Sequence, residues 1–207
     1  AGTVTDLTSG GNIVIAGDVT TNAEMNLSAQ TIDVGGIVGN GGTLTVAGGT
    51  GQNGMVTVNN NVTNSNGTVD ISGRQINIVG NVDNKSGTIS VGGSDLQGSA
   101  IQLGGVIVEE GVANLNGLLG INISQSVIGG NTFGTGTMVV SDGVLNFGTG
   151  THSVTINGPA GNSGYVVDIA GNVIASGNSG TSGTGDVYVQ ASGNQGFLLN
   201  ANGDISI

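Results

Sequence analysis

The chain has 207 residues, of which 43 are glycine, and contains no cysteine and no tryptophan. Its net charge of −11 comes from 13 acidic residues against Arg74 and Lys85. That balance excludes binding to nucleic acid or an anionic membrane through phosphate neutralisation, which takes clustered Lys and Arg. The missing cysteines exclude disulfides and thiol chemistry. No run is apolar for long enough to cross a bilayer as a helix.

In chain order, the N-terminal stretch Thr3-Val4-Thr5-Asp6-Leu7 alternates apolar and polar residues, the period of a strand with one buried face. A start at Ala1-Gly2-Thr3 without Met looks like a mature end left by signal cleavage, which implies secretion. A unit then begins and recurs. Ile13-Val14-Ile15 leads through Ala16-Gly17-Asp18 to Val19, and Met25-Asn26-Leu27 closes the copy. Ile32, Val56, Ile76, Ile101 and Ile121 open further copies. The fullest is Ile76-Asn77-Ile78-Val79-Gly80-Asn81-Val82, followed by the turn Asn84–Gly87 and by Ile89-Ser90-Val91. Starts at 13, 32, 56, 76, 101 and 121 are separated by 19, 24, 20, 25 and 20 residues. Extra residues collect between the last strand of one copy and the first of the next, at 47–54 and 92–100. Insertion at a fixed corner is what a stack of coils permits. Met138-Val139-Val140 and Val167-Asp168-Ile169 read as later starts, with loops at 132–137, 157–164 and 178–185.

The bend after the first apolar pair holds Gly17, Gly36, Asn60, Gly80, Gly105, Gln125, Asp142 and Gly171. These are mostly residues that tolerate positive φ, so left-handed backbone is expected there, with Gln125 the exception. Asn22, Asn40, Asn64 and Asn84 follow the inward-pointing apolar residue and are expected to stack as a structural ladder.

These units resemble the right-handed β-helix of secreted bacterial surface proteins, of the filamentous-haemagglutinin and autotransporter-passenger kind. Gly11-Asn12-Ile13-Val14-Ile15-Ala16-Gly17-Asp18-Val19 and Gly185-Asp186-Val187-Tyr188-Val189-Gln190-Ala191 carry the resemblance. It implies an extracellular, cell-surface location and a structural or adhesive role. The Asn-Pro motifs of that family's secretion domain are absent from the sequence.

The sequence chemistry favours no catalyst. A lyase on acidic sugars needs a base and a carboxylate-neutralising cation, and only Arg74 and Lys85 are on offer. A hydrolase needs paired carboxylates, whereas Asp18, Asp33, Asp70, Asp83 and Asp168 fall at different offsets in the repeat. His152 is the single histidine and has no cysteine to share a transition metal. Calcium is the one cofactor with suitable oxygen ligands, Glu109-Glu110 being the only adjacent acidic pair. Thr43, Thr45, Thr57 and Thr68 do not form the regular two-column array of an ice-binding face.

The expectation is thus all-β: a single right-handed parallel β-helix domain spanning residues 1–207, about nine turns and roughly 40–45 Å long at ~4.8 Å per turn. Its expected role is structural, with no cofactor and no enzyme activity: a subunit of an extracellular filament, sheath or surface layer whose partners are copies of itself. An adhesin stalk for a surface polysaccharide or host ligand is the alternative, and a polysaccharide-degrading enzyme comes third. Head-to-tail stacking is expected through Val4 and Leu7 at one end and Ile205 and Ile207 at the other.

Overall fold

The structure, a computed structural model, describes residues 5–93, 101–117, 120–147, 153–158, 167–170, 172–175, 186–191, 199–201 and 205–206. Val4, Gly171, His152 and Ile207 lie outside them, as do the expected loop at 178–185 and residues 159–164. The described residues form strands joined by bends, with no helix.

Each repeat supplies three strand segments. Representative first segments are Asn12–Ile15, Thr31–Val34 and Met55–Val58; the second segments beside them are Val19–Thr21, Ile37–Gly39 and Val62–Asn64. Third segments include Met25–Ala29, Thr43–Gly48, Thr68–Gly73, Thr88–Gly93 and Val112–Gly117. In two repeats the first and second segments run on as one strand, Gln75–Asn84 and Ile101–Val108. The third segments make a nine-stranded parallel sheet, and the first and second segments join in a second sheet. Each segment pairs with its counterpart one repeat earlier and one later: Ile78 stands beside Val58 on one side and Leu103 on the other.

The reason lies in the side-chain period. Alternation sends one residue in two inward, and parallel register places like residues in columns. Ile13, Ile32, Val56, Ile76, Ile101, Ile121 and Val154 form one such column. All seven are buried, as are Leu44, Val69, Ile89, Ala113 and Leu145 of the third-segment sheet. Each Val, Leu or Ile gains ~1.5–3 kcal/mol when fully buried, and that gain is realised only when repeats stack, because one repeat alone leaves its apolar side chains open to water on both sides.

The turn into the third segment depends on glycine. Gly42, Gly67, Gly87 and Gly111 stack in register with positive φ, 68° at Gly42 and 83° at Gly87. A Cβ on Gly87 would lie 2.7 Å from the backbone N of Gly67, so both the φ and the close approach call for glycine. Left-handed backbone at the other bend is corrected. Gly17, Gly36, Asn60, Gly80 and Gly105 all lack positive φ. What that corner needs is space: a Cβ on Gly36 would lie 2.6 Å from Asp18 Oδ1, and one on Gly80 2.6 Å from the carbonyl carbon of Asn60.

The register past Ser124 also differs from the sequence reading. Met138–Val140 pairs with residues 106–108, and Val167–Ile169 with Met138–Val140, so both are second segments. The first segments of those repeats are Ile121–Ser124 and Ser153–Gly158. Asp142 accordingly lies in the turn into a third segment, Val144–Phe147, and not at the first bend. Between Ser124 and Met138 the chain leaves the stack as an antiparallel hairpin, Ser126–Ile128 with Asn131–Phe133. Val127 is not an inward residue; it is 71% exposed at the hairpin, and Ile128 is 54% exposed.

Ile78, fully buried between Val58 and Leu103, is expected not to tolerate a charge. Ile78→Asp should abolish the cooperative thermal transition followed by circular dichroism. Asn77→Asp, on the outward face of the same strand, should change stability by under ~0.5 kcal/mol.

Candidate functional site

Two polar columns run along the stack at two of its corners. The first lies where second segments end. Asn64 and Asn84 are in register and fully buried. Asn64 Nδ2 donates to Asn84 Oδ1 at 3.1 Å and lies within bonding distance of the carbonyls of Ser86 and Thr88. Asn84 Nδ2 reaches the carbonyls of Gly87, Glu110 and Val112 at 3.1–3.3 Å. These amides tie each turn to the next and satisfy carbonyls beside the glycine column. Asn22 and Asn40 are not members of this ladder. They fall one residue later and are exposed, and the register positions belong to Thr21 and Gly39. Thr21 instead closes its own turn, its Oγ1 donating to the carbonyl of Ala23 at 2.7 Å. Gly39 leaves room for the side-chain Oδ1 of Asn64, which a Cβ there would approach to 2.9 Å. Above Asn84 the column turns apolar at Val108 and Val140.

The second column lies at the corner between first and second segments. Asp18, Gly36, Asn61, Asn81 and Gly105 are in register there. Asn61 Oδ1 accepts the backbone N–H of Asn81 at 2.8 Å, and Asn81 Oδ1 accepts that of Thr135 at 2.9 Å. Thr135 belongs to the chain returning from the hairpin. It reaches Asn81 because Gly104 and Gly105 carry no side chains: a Cβ on Gly104 would meet the Cα of Gly134 at 2.9 Å. Gln125 Nε2 donates to the carbonyl of Gly134 at 3.2 Å and holds the base of the excursion.

Against this corner the hairpin walls off an open groove of about 510 Å³. Asn60, Asn61, Thr63 and Asn81 line it from the stack, and Thr132, Phe133 and Thr135 from the hairpin, with Asp18 and Val38 on earlier repeats. Sequence reasoning missed this site. Its signal was present: Gly129-Gly130 is a two-residue loop flanked by strand-forming residues, and both glycines have positive φ, 59° and 82°, as a tight hairpin turn requires.

The residues weighed for catalysis do not converge. Arg74 sits where a third segment meets a first, and Lys85 where a second meets a third. Asp33, Asp70 and Asp83 face outward on three different columns. Asp83 and Asp168 share a column but stand three repeats apart, roughly 14 Å at ~4.8 Å per repeat, beyond the span of a glycosidase carboxylate pair. Glu109 and Glu110 are exposed in a turn, and no three of His, Cys, Asp or Glu gather among the described residues. Thr43, Thr68 and Thr88 align in one column, while Thr45 pairs beside Asp70 and Thr57 lies in the other sheet. Of the residues expected at the ends, Leu7 is 45% exposed and Ile205 pairs with Val173. No protein-family profile, curated protein or solved structure matches the chain.

Asp83 stands out electrostatically. Burial raises its pKa above the ordinary 3.8, Lys85 pulls it down and Glu109 pushes it up. Its Oδ1 is buried without a hydrogen-bond partner. A carboxyl whose folded value is raised contributes stability below its unfolded value and loses that contribution as pH rises through the folded value. Asp83→Asn is therefore expected to melt higher than the native chain at pH 7, with the difference vanishing near pH 3, well below the ordinary carboxylate value.

The ladder gives a second expectation. Asn84→Ala should cost about 2–3 kcal/mol in chemical denaturation, because buried carbonyls lose their donor. Asn22→Ala, outside the ladder, should stay within ~0.5 kcal/mol of the native chain.

Proposed function

We propose that the chain is a single right-handed parallel β-helix acting as a structural, non-enzymatic subunit of an extracellular bacterial filament, sheath or surface layer. The observation that carries this reading is the stack itself. Columns of Ile, Val and Leu run from repeat to repeat with the same partners on either side, an architecture suited to extension along one axis. Right-handedness is supported by the strong preference of parallel strand-to-strand crossovers for that hand. The resemblance to secreted bacterial β-helices supports the location.

Assembly proceeds head to tail through copies of the same chain. Thr5–Thr8, Asn12–Ile15 and Val19–Thr21 pair only toward the following repeat among the described residues, and a strand edge of this kind can take up a further strand. Leu7 heads the column of Leu27, Val46 and Ile71, and Ile205 lies in the column of Met25, Leu44 and Val69. Two unlike ends give a heterologous contact, which propagates as an open fibre when rotation does not close a ring. Ile205→Lys with Ile207→Lys is expected to leave a folded monomer that forms no filament in negative-stain microscopy at rising concentration. Leu7→Lys should block the opposite end, so a mixture of the two variants should stop at dimers. Filaments from either variant alone, or a native chain that stays monomeric when concentrated, would show end-stacking to be wrong.

A second reading, an adhesin stalk, is favoured by one specific observation: the hairpin stands off the rod and walls a groove on its side.

A further inference from the structure

The groove has a composition that selects its ligand. Its stack side presents the amides Asn60, Asn61 and Asn81 and the hydroxyl of Thr63, and its hairpin side presents Thr132, Thr135 and the partly exposed ring of Phe133. The Oδ1 atoms of Asn61 and Asn81 are already committed to backbone N–H groups, which fixes the orientation of both amides and leaves their Nδ2 groups as donors. Asp18 is the one charged group in the lining.

We propose that this groove binds a neutral oligosaccharide laid along the stack. Amides and hydroxyls pair with sugar hydroxyls as donor and acceptor together, and an aromatic ring offers its flat, electron-rich face to the C–H face of a pyranose ring. A volume near 510 Å³ is within the range of small-molecule sites and holds a short stretch of a glycan. From Asp18 to Asn81 the corner spans three steps of the stack, about 14 Å at ~4.8 Å each, so a linear chain meets the same corner on successive repeats. Other ligand classes fit poorly. Anionic glycans and phosphates find no cation in the lining, and a divalent cation finds a single carboxylate. An apolar peptide finds only Phe133 and Val38 for its side chains.

The inference rests on the adhesin reading and names the ligand class and the site. Cellotetraose, chitotetraose, laminaritetraose and xylotetraose serve as neutral probes in isothermal titration calorimetry at millimolar concentration, with a heparin tetrasaccharide and a tetragalacturonide as acidic probes. At least one neutral probe is expected to bind and neither acidic one. Phe133→Ala is expected to weaken that binding roughly tenfold, about the worth of one aromatic contact. Because Phe133→Ala acts within the hairpin, Asn60→Ala on the exposed stack side provides an independent variant and should weaken binding several-fold with unchanged circular dichroism. Binding of acidic probes only, or neutral binding untouched by both variants, overturns the groove and leaves adhesion at another place on the rod. Binding of no probe, together with no retention on a broad glycan array, overturns the groove and the adhesin reading together. Filament formation by Phe133→Ala, scored separately by microscopy, stays as in the native chain because the hairpin is on the side of the rod.

Discussion

Parallel register between successive repeats is the constraint on which every other feature depends. A repeat of about twenty residues cannot enclose a core by itself. Once its backbone pairs with copies on both sides, Ile78 acquires Val58 and Leu103 as neighbours, and the same step repeats along the column. Register also decides which polar residues can coexist with that core. Asn64 and Asn84 are tolerated fully buried because stacking brings each amide against the carbonyls of the following turn. A shift of one residue would leave those donors unpaired and turn apolar side chains outward.

The corners answer to different demands. At the turn into the third segment the backbone must enter the left-handed region, and glycine recurs there. At the corner between first and second segments the backbone stays in ordinary regions and adjacent repeats approach closely, so glycine alternates with Asp or Asn whose side chains fold over it. That second corner can carry an insertion, because Gly104 and Gly105 leave a bare surface on which the returning hairpin strand lies.

The strand alternation was legible in the sequence, since residues such as Ile76, Asn77 and Ile78 declare a buried and an exposed side directly. The third-segment glycine column was also written there, as Gly67-Thr68-Val69-Asp70-Ile71 and Gly87-Thr88-Ile89-Ser90-Val91, but glycine recurs at the first bend too, and recurrence alone does not tell a positive-φ turn from a close approach. The Asn ladder was half legible. The first corner holds three residues in some repeats and two in others, as at Asn59-Asn60-Asn61 against Gly35-Gly36, so spacing alone could not tell Asn40 from its buried neighbour Gly39. The groove was invisible to periodicity. It joins Asn61, Asn81 and Thr135, which come together only because the hairpin doubles back two repeats and crosses bare glycine.

Among the described residues the backbone hydrogen bonds between repeats run along the stack, and this sets how the stack would respond to load. A force drawing its two ends apart pulls those bonds in line with their direction, so it opens a few bonds at a time at an end in place of shearing a whole sheet. A stack of this kind would lengthen by shedding one repeat after another, each release freeing roughly twenty residues of chain at ~3.3–3.6 Å apiece. It yields stepwise under tension, as a shock-absorbing tether does, with the hydrophobic columns further from the pulled end left intact.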